Sequence, residues 1–174
     1  MDEFYNLISY IEAPSFEISA DAFTTFKDFL LQNKKLTAQY LSSHYDQFFS
    51  YFQILLTSDN YLTKRQALTL LCDLLSEPRN GAATETFVKN AQNLRQIMWA
   101  LTDKSASIQW EAYEVFKIFL SLPKRSKTVN HILVKNREKL LRFMDEFLVI
   151  KKGDTDLAKE KEEVLKLIQE IGLN

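Results

Sequence analysis

A nine-residue apolar pattern occurs three times in this chain, and successive copies lie 45 residues apart. The copies are Ala22-Phe23-Thr24-Thr25-Phe26-Lys27-Asp28-Phe29-Leu30, Ala67-Leu68-Thr69-Leu70-Leu71-Cys72-Asp73-Leu74-Leu75 and Ala112-Tyr113-Glu114-Val115-Phe116-Lys117-Ile118-Phe119-Leu120. The first, second, fifth, eighth and ninth residues are apolar in every copy. Residues three or four apart share one face of an α-helix, so this spacing is a helical stripe. A strand would require alternation, and no stretch alternates for long enough to build a sheet.

The punctuation repeats with the stripe. Ser15, Asn60 and Ser105 stand in register, and each is a good N-cap type. Asn33, Pro78 and Pro123 stand in register at the other end, where proline cannot continue a helix and asparagine tolerates a terminus. A basic residue follows each stop: Lys34, Arg79 and Lys124. A second apolar run comes next in each copy, over Leu41–Leu56, Phe87–Leu101 and Leu133–Leu148. Phe87-Val88-Lys89-Asn90 matches Leu133-Val134-Lys135-Asn136 at 46, so one residue was gained in the third connection. A period in the forties belongs to armadillo and HEAT repeats, built from helical hairpins or triplets. The expected fold is an all-α, armadillo/HEAT-like helical repeat solenoid, in a single domain over 1–174. It comprises a partial repeat 1–14, repeats 15–59, 60–104 and 105–150, and a capping helix 157–172.

The two ends differ. Phe4, Leu7 and Ile11 fall 45 residues before Phe49, Phe52 and Leu56, so the chain opens on the last helix of a repeat. Terminal units of solenoids normally turn a polar face outward. A helix with Phe4, Tyr5, Leu7, Ile8, Tyr10 and Ile11 is a poor cap, which leads to the expectation of a longer solenoid before it or of a partner covering it. At the other end Leu157, Val164, Leu165, Ile168 and Ile171 mark an amphipathic cap, with Lys159-Glu160-Lys161-Glu162-Glu163 expected on its solvated face. Lys151–Asp156 reads as a flexible link.

Composition excludes more than it proposes. The 174 residues include 22 basic and 23 acidic side chains for a net charge of −1, so no nucleic-acid or anionic-membrane partner follows from the overall field. Cys72 is the only cysteine and sits in the stripe as a small apolar residue. With no disulfide framework, signal-type leader or membrane-length apolar run, a reducing, cytoplasmic location is expected. His44 and His131 lack a partner at metal spacing and read as surface or turn residues. A calcium loop begun at Asp154 would need Gly where Lys159 stands and Glu where Leu165 stands, so none is expected. Neither a cofactor, a metal nor a catalytic residue is implied, and the chain reads as a non-enzyme.

Equivalent positions that vary while the stripe stays apolar mark where a solenoid binds. One ladder is Phe16, Tyr61, Ala106 and another is Ala20, Arg65, Trp110. An exposed aromatic beside an arginine has the composition of a binding hot spot; alternatively, Phe16 and Tyr61 staple the first turn of their helices. A second cluster is Arg95, Met98, Trp99, Lys135 and Lys139. It reads either as an adaptable groove rimmed by cations or as core beneath solvated lysines. Lys135 and Lys139 are four apart and repel on one helix face, which a negative ligand would relieve.

The stretches Ser15-Phe16-Glu17-Ile18, Asp21-Ala22-Phe23, Thr25-Phe26-Lys27-Asp28, His44-Tyr45-Asp46, Phe48-Phe49-Ser50, Asn60-Tyr61, Thr63-Lys64-Arg65-Gln66, Asp103-Lys104-Ser105, Ile108-Gln109 and Val115-Phe116-Lys117 carry a resemblance. Through them the chain resembles the C-terminal half of the calcium-binding protein 39 family, also called the mouse-protein-25 family. The resemblance implies a crescent-shaped scaffold that binds Ste20-type kinases and a related pseudokinase and holds the kinase fold active without catalysis. It implies a kinase-facing role for Phe16, Tyr61 and Arg65. Arg95, Met98, Lys135 and Lys139 match positions in or beside a pocket that takes a Trp-Glu-Phe tail. The chain departs from the family at Pro78 and Gly81, where relatives carry a basic residue and an aromatic that belongs to the kinase-contact surface. The alternatives are a generic helical-repeat protein-interaction or RNA-binding module, or a truncated member without kinase-activating capacity.

Overall fold

The computed structural model describes residues 2–121, 125–147 and 155–172. Among them are ten α-helices and no strand. In order they are α1 (Asp2–Ile11), α2 (Phe16–Gln32), α3 (Lys34–Ser43), α4 (Tyr45–Leu56), α5 (Tyr61–Ser76), α6 (Gly81–Lys89), α7 (Ala91–Ala100), α8 (Ala106–Ser121), α9 (Lys127–Phe147) and α10 (Thr155–Gln169). A short 3-10 turn, Pro78–Asn80, joins α5 to α6. The stops expected at Pro123 and Lys124, the run end at Leu148 and the link residues 151–154 lie outside the described residues.

The nine-residue stripes occupy α2, α5 and α8, and their middle residues Phe26, Leu71 and Phe116 are all buried in one continuous core. Rings carry that core from unit to unit. Within the first unit Phe26 stacks with Phe52 at 6.3 Å; between units Phe49 meets Phe87 at 5.2 Å and Phe87 meets Phe119 at 5.9 Å. Each long helix ends with carbonyls that have no partner in their own helix, and in each unit a later side chain takes one of them. The Thr37 hydroxyl donates to the Leu30 carbonyl at 2.8 Å, the Thr84 hydroxyl to Leu75 at 3.0 Å, and the Arg125 guanidinium to Leu120. Leu30, Leu75 and Leu120 are the same register position, and two threonines and an arginine solve one problem.

The second apolar run is not one helix in every unit. It breaks at His44 and at Asn90, giving triplets, but continues unbroken as α9 in the third unit. Asn90 and Asn136 correspond, yet they act differently. The Asn90 carboxamide accepts from the Gln92 and Asn93 N–H groups at 2.8 and 3.4 Å, starting α7. Asn93 then donates to the Phe87 carbonyl at 3.0 Å, satisfying the end of α6. In the third unit Lys139 replaces Asn93 in register, and Asn136 instead donates to Ile132 at 2.8 Å from within the helix. Ser15 also differs from its counterparts: it holds the N-cap position but accepts no capping bond, whereas Asn60 and Ser105 do.

At the far end α10 packs on α8 and α9, burying Val164, Ile168 and Ile171. The charged run there is not wholly solvated, contrary to the amphipathic expectation. The Glu160 carboxylate accepts from the buried Tyr113 hydroxyl and from Lys117 Nζ, both at 2.7 Å. Lys161 reaches Asp145 of α9 at 2.8 Å. At the opposite end Tyr5, Ile8 and Ile11 of α1 are buried against α2 and α4, whereas Tyr10 stays 55% exposed. Ile18 and Phe29 of α2 and Leu36 of α3 are exposed there as well.

Candidate protein-binding surface

Because α2, α5 and α8 start in register, the first residue of each forms a row: Phe16, Tyr61, Ala106. Phe16 is 70% exposed and Tyr61 48%. The row one turn further on is Ala20, Arg65, Trp110. Arg65 Nε lies 3.4 Å from Glu111 Oε1 on the next unit, while its guanidinium stays accessible. Trp110 rests its ring against Tyr113 at 5.5 Å and Phe147 at 6.0 Å and remains partly open. Hydrogen bonding from Ser107 and Ser105, and then the Arg65 charge, hold the Tyr61 phenol below its ordinary range. Thus Tyr61, Arg65 and Glu111 form one polar-aromatic patch across two units, with Phe16 one unit away.

The second group sits on two packed helices. Arg95 and Met98 are one turn apart on α7; Lys135 and Lys139 are one turn apart on α9, which packs on α7. Met98 lies half-buried against the core, and the three cations are exposed. Among the described residues none of these cations forms an ion pair with a carboxylate, whereas Lys89, in register with Lys135, pairs with Glu85 at 2.5 Å. Exposed cations on α7 and α9 are compatible with both readings of this cluster. Trp99 is 84% exposed, which rules out the core alternative for that residue. It rims a cleft of 280 Å³ shared with Leu56, Lys64, Leu68 and Asp103. Sequence reasoning left this cleft unassigned. The signal was the ladder Ser9, Ile54, Trp99, which varies across units as the two chosen ladders do.

The remaining polar groups are quieter. The His44 ring stacks on Tyr40 at 4.8 Å between α3 and α4, and His131 is exposed on α9. Burial pushes the Cys72 thiol above its ordinary value, which disfavours the nucleophilic thiolate. No group of three or more His, Cys, Asp or Glu side chains that could hold a metal ion exists among the described residues. No helix among them is long and apolar enough to cross a membrane. Gly81 begins α6 in ordinary helical backbone, and a Cβ there would meet nothing within 4 Å. An aromatic at that position would therefore project into open space.

A family model described as Mo25-like matches residues 1–172. The chain is 39% identical over 169 residues to the Mo25-like protein of Schizosaccharomyces pombe, covering 97% of this chain and 51% of that protein. It is 38% identical over 170 residues to human calcium-binding protein 39-like, covering 98% and 50%. The degreening-related gene dee76 protein of Auxenochlorella protothecoides is 42% identical over 170 residues, at 98% and 52% coverage. The chain spans about half the length of these curated relatives.

Proposed function

The chain belongs to the Mo25-like family, and from that premise we propose that it is a non-catalytic scaffold that binds and activates Ste20-type protein kinases or a related pseudokinase in the cytoplasm. The observation that carries the reading is the exposed pair Phe16 and Tyr61 in one row, with Arg65 one turn further on, across two consecutive units. Those residues match the family's kinase-facing positions, and two aromatics with an arginine are what protein interfaces use as anchors. Family membership supports a scaffold role.

A scaffold activates by preferring one conformation of its partner. Its effect is bounded by that preference: moving a kinase from 1:99 to 99:1 active takes about 5.5 kcal/mol of differential binding. Arg65 suits this role because Glu111 holds it on one side while its remaining N–H groups stay available for a carboxylate of the partner. Arg95, Met98, Lys135 and Lys139 would take the acidic, aromatic Trp-Glu-Phe tail: the cations receive its two carboxylates and Met98 packs on a ring.

The test is an in vitro assay of a Ste20-type kinase with and without this protein. Stimulation is expected, and Arg65→Ala is expected to reduce partner affinity about 10- to 100-fold with an unchanged circular dichroism spectrum. Binding without stimulation would instead identify a family member that docks but does not activate. Separately, Met98→Ala is expected to weaken a Trp-Glu-Phe-ended peptide about 5- to 30-fold by calorimetry; equal affinity would reject the pocket.

A further inference from the structure

Equivalent grooves of the second and third units are closed to different extents. In the third unit, rings from α8 and α9 meet: Tyr113 lies 5.5 Å from Phe147, and Phe147 stacks on Phe143 at 5.3 Å. Tyr113 is fully buried there. Leu68 corresponds to Tyr113 at a spacing of 45, and Ile97 to Phe143 at 46. The second unit thus puts two aliphatic side chains where the third puts two rings. Its groove stays open as the 280 Å³ cleft floored by Leu56, Leu68 and Ile97 and rimmed by Trp99. Small-molecule sites span about 300–1,000 Å³, so the space suits a single side chain. Trp99, 84% exposed, leaves an indole face free for a second ring.

The polar edge of the cleft shows what would accompany that ring. Lys64 Nζ stands 3.6 Å from Asp103 Oδ2, past hydrogen-bond range. Asp103 Oδ1 is occupied by the Ser105 N–H at 2.9 Å. The Gln96 carbonyl accepts from the Gln53 carboxamide, and Gln96 Nε2 is buried with no partner among the described residues. A buried donor without an acceptor is costly, and an ammonium bonds a carboxylate more strongly than a neutral group. Two unused donors beside an apolar floor therefore complement an acidic, aromatic occupant. We propose that this cleft holds an aromatic side chain of a protein partner together with the carboxylate of the next residue. The ring sits between Trp99 and Leu68, and the carboxylate meets Lys64 and Gln96. The site lies among α4, α5 and α7, whereas Lys135 and Lys139 are on α9, and it does not depend on kinase activation.

The probe is the peptide acetyl-Gly-Phe-Asp-Gly-amide, titrated into the protein while the Gln96 side-chain amide and the Trp99 indole N–H are followed by NMR. Saturable shifts of both signals are expected at millimolar peptide. Trp99→Ala, at an exposed position, is expected to weaken binding about 10-fold, read from Gln96. Leu68→Tyr, which copies the third unit, is expected to abolish it with an unchanged circular dichroism spectrum. Alanine in place of the peptide's phenylalanine is expected to remove binding, and asparagine in place of its aspartate to weaken it about 5-fold. Lys135→Glu is expected to leave the affinity unchanged. No shift in the cleft with the first peptide would overturn the proposal. So would equal binding of the alanine peptide, equal affinity in Trp99→Ala, or binding that Lys135→Glu abolishes.

Discussion

The two ends of the stack solve the same problem in opposite ways. At the far end α10 lays Val164, Ile168 and Ile171 over the last unit and ties itself down through Glu160, which serves the buried Tyr113 and Lys117. At the near end α1 covers only one side of α2, and the face carrying Ile18 and Phe29 stays in solvent. Stacked repeats are stabilised by their own packing plus each junction. An identical side chain is therefore worth different amounts at different levels. Position in the stack, more than residue type, sets its contribution.

Phe29 and Phe119 make that contrast directly, being one residue type at one register position. Phe119→Ala is expected to cost about 3–5 kcal/mol in urea unfolding, the range for a buried phenylalanine. Phe29→Ala is expected to stay within about 0.5 kcal/mol. Comparable losses would erase the difference between the ends.

Glu160→Gln probes the closed end, with about 1 kcal/mol expected at pH 7 because the site is partly exposed. Burial alone would raise this carboxyl, but Lys117 and Tyr113 outweigh it and leave it below its ordinary 4.5. A folded carboxyl held low adds stability above the unfolded value and loses it as pH falls through the folded one. The gap between wild type and variant is therefore expected to close in acid, below about pH 4. Lys117 is shifted the other way: burial opposes its charge, but Glu160 and Glu114 prevail and leave it raised. Its share is present below 10.5, so the gap is expected to hold between pH 6 and 9. A gap that widens in acid would contradict the arrangement.

The smallest contrast concerns the paired asparagines. Asn90→Ala removes a helix cap and is expected to cost about 1 kcal/mol. Asn136→Ala, within a helix, is expected to change stability by less than about 0.5 kcal/mol. Thermal unfolding of both variants would show whether the break belongs to the second unit alone.

Much of this architecture was legible because helical burial leaves a period in the sequence. The stripes through Phe26, Leu71 and Phe116 placed the three long helices, and Asn60 and Ser105 began two of them where capping chemistry requires. What escaped the sequence depended on contacts from elsewhere in the chain. Asn90 and Asn136 are the same letter in the same local run, and only the partner three residues on distinguishes a break from a continuing helix. The charge of Glu160 suggested solvent, but the Tyr113 hydroxyl needed an acceptor and drew it inward. Two ladders identified Phe16, Tyr61 and Arg65 as variable positions, whereas Trp99, grouped in sequence with Met98, stands exposed beside a different cleft.

Hydroxyl-radical footprinting of Phe29, Leu74 and Phe119 in the free protein tests the stacking account most directly, since these side chains differ in level and share a register. Fast modification of Phe29 with strong protection of Leu74 and Phe119 is the predicted result. Similar modification of all three would contradict it.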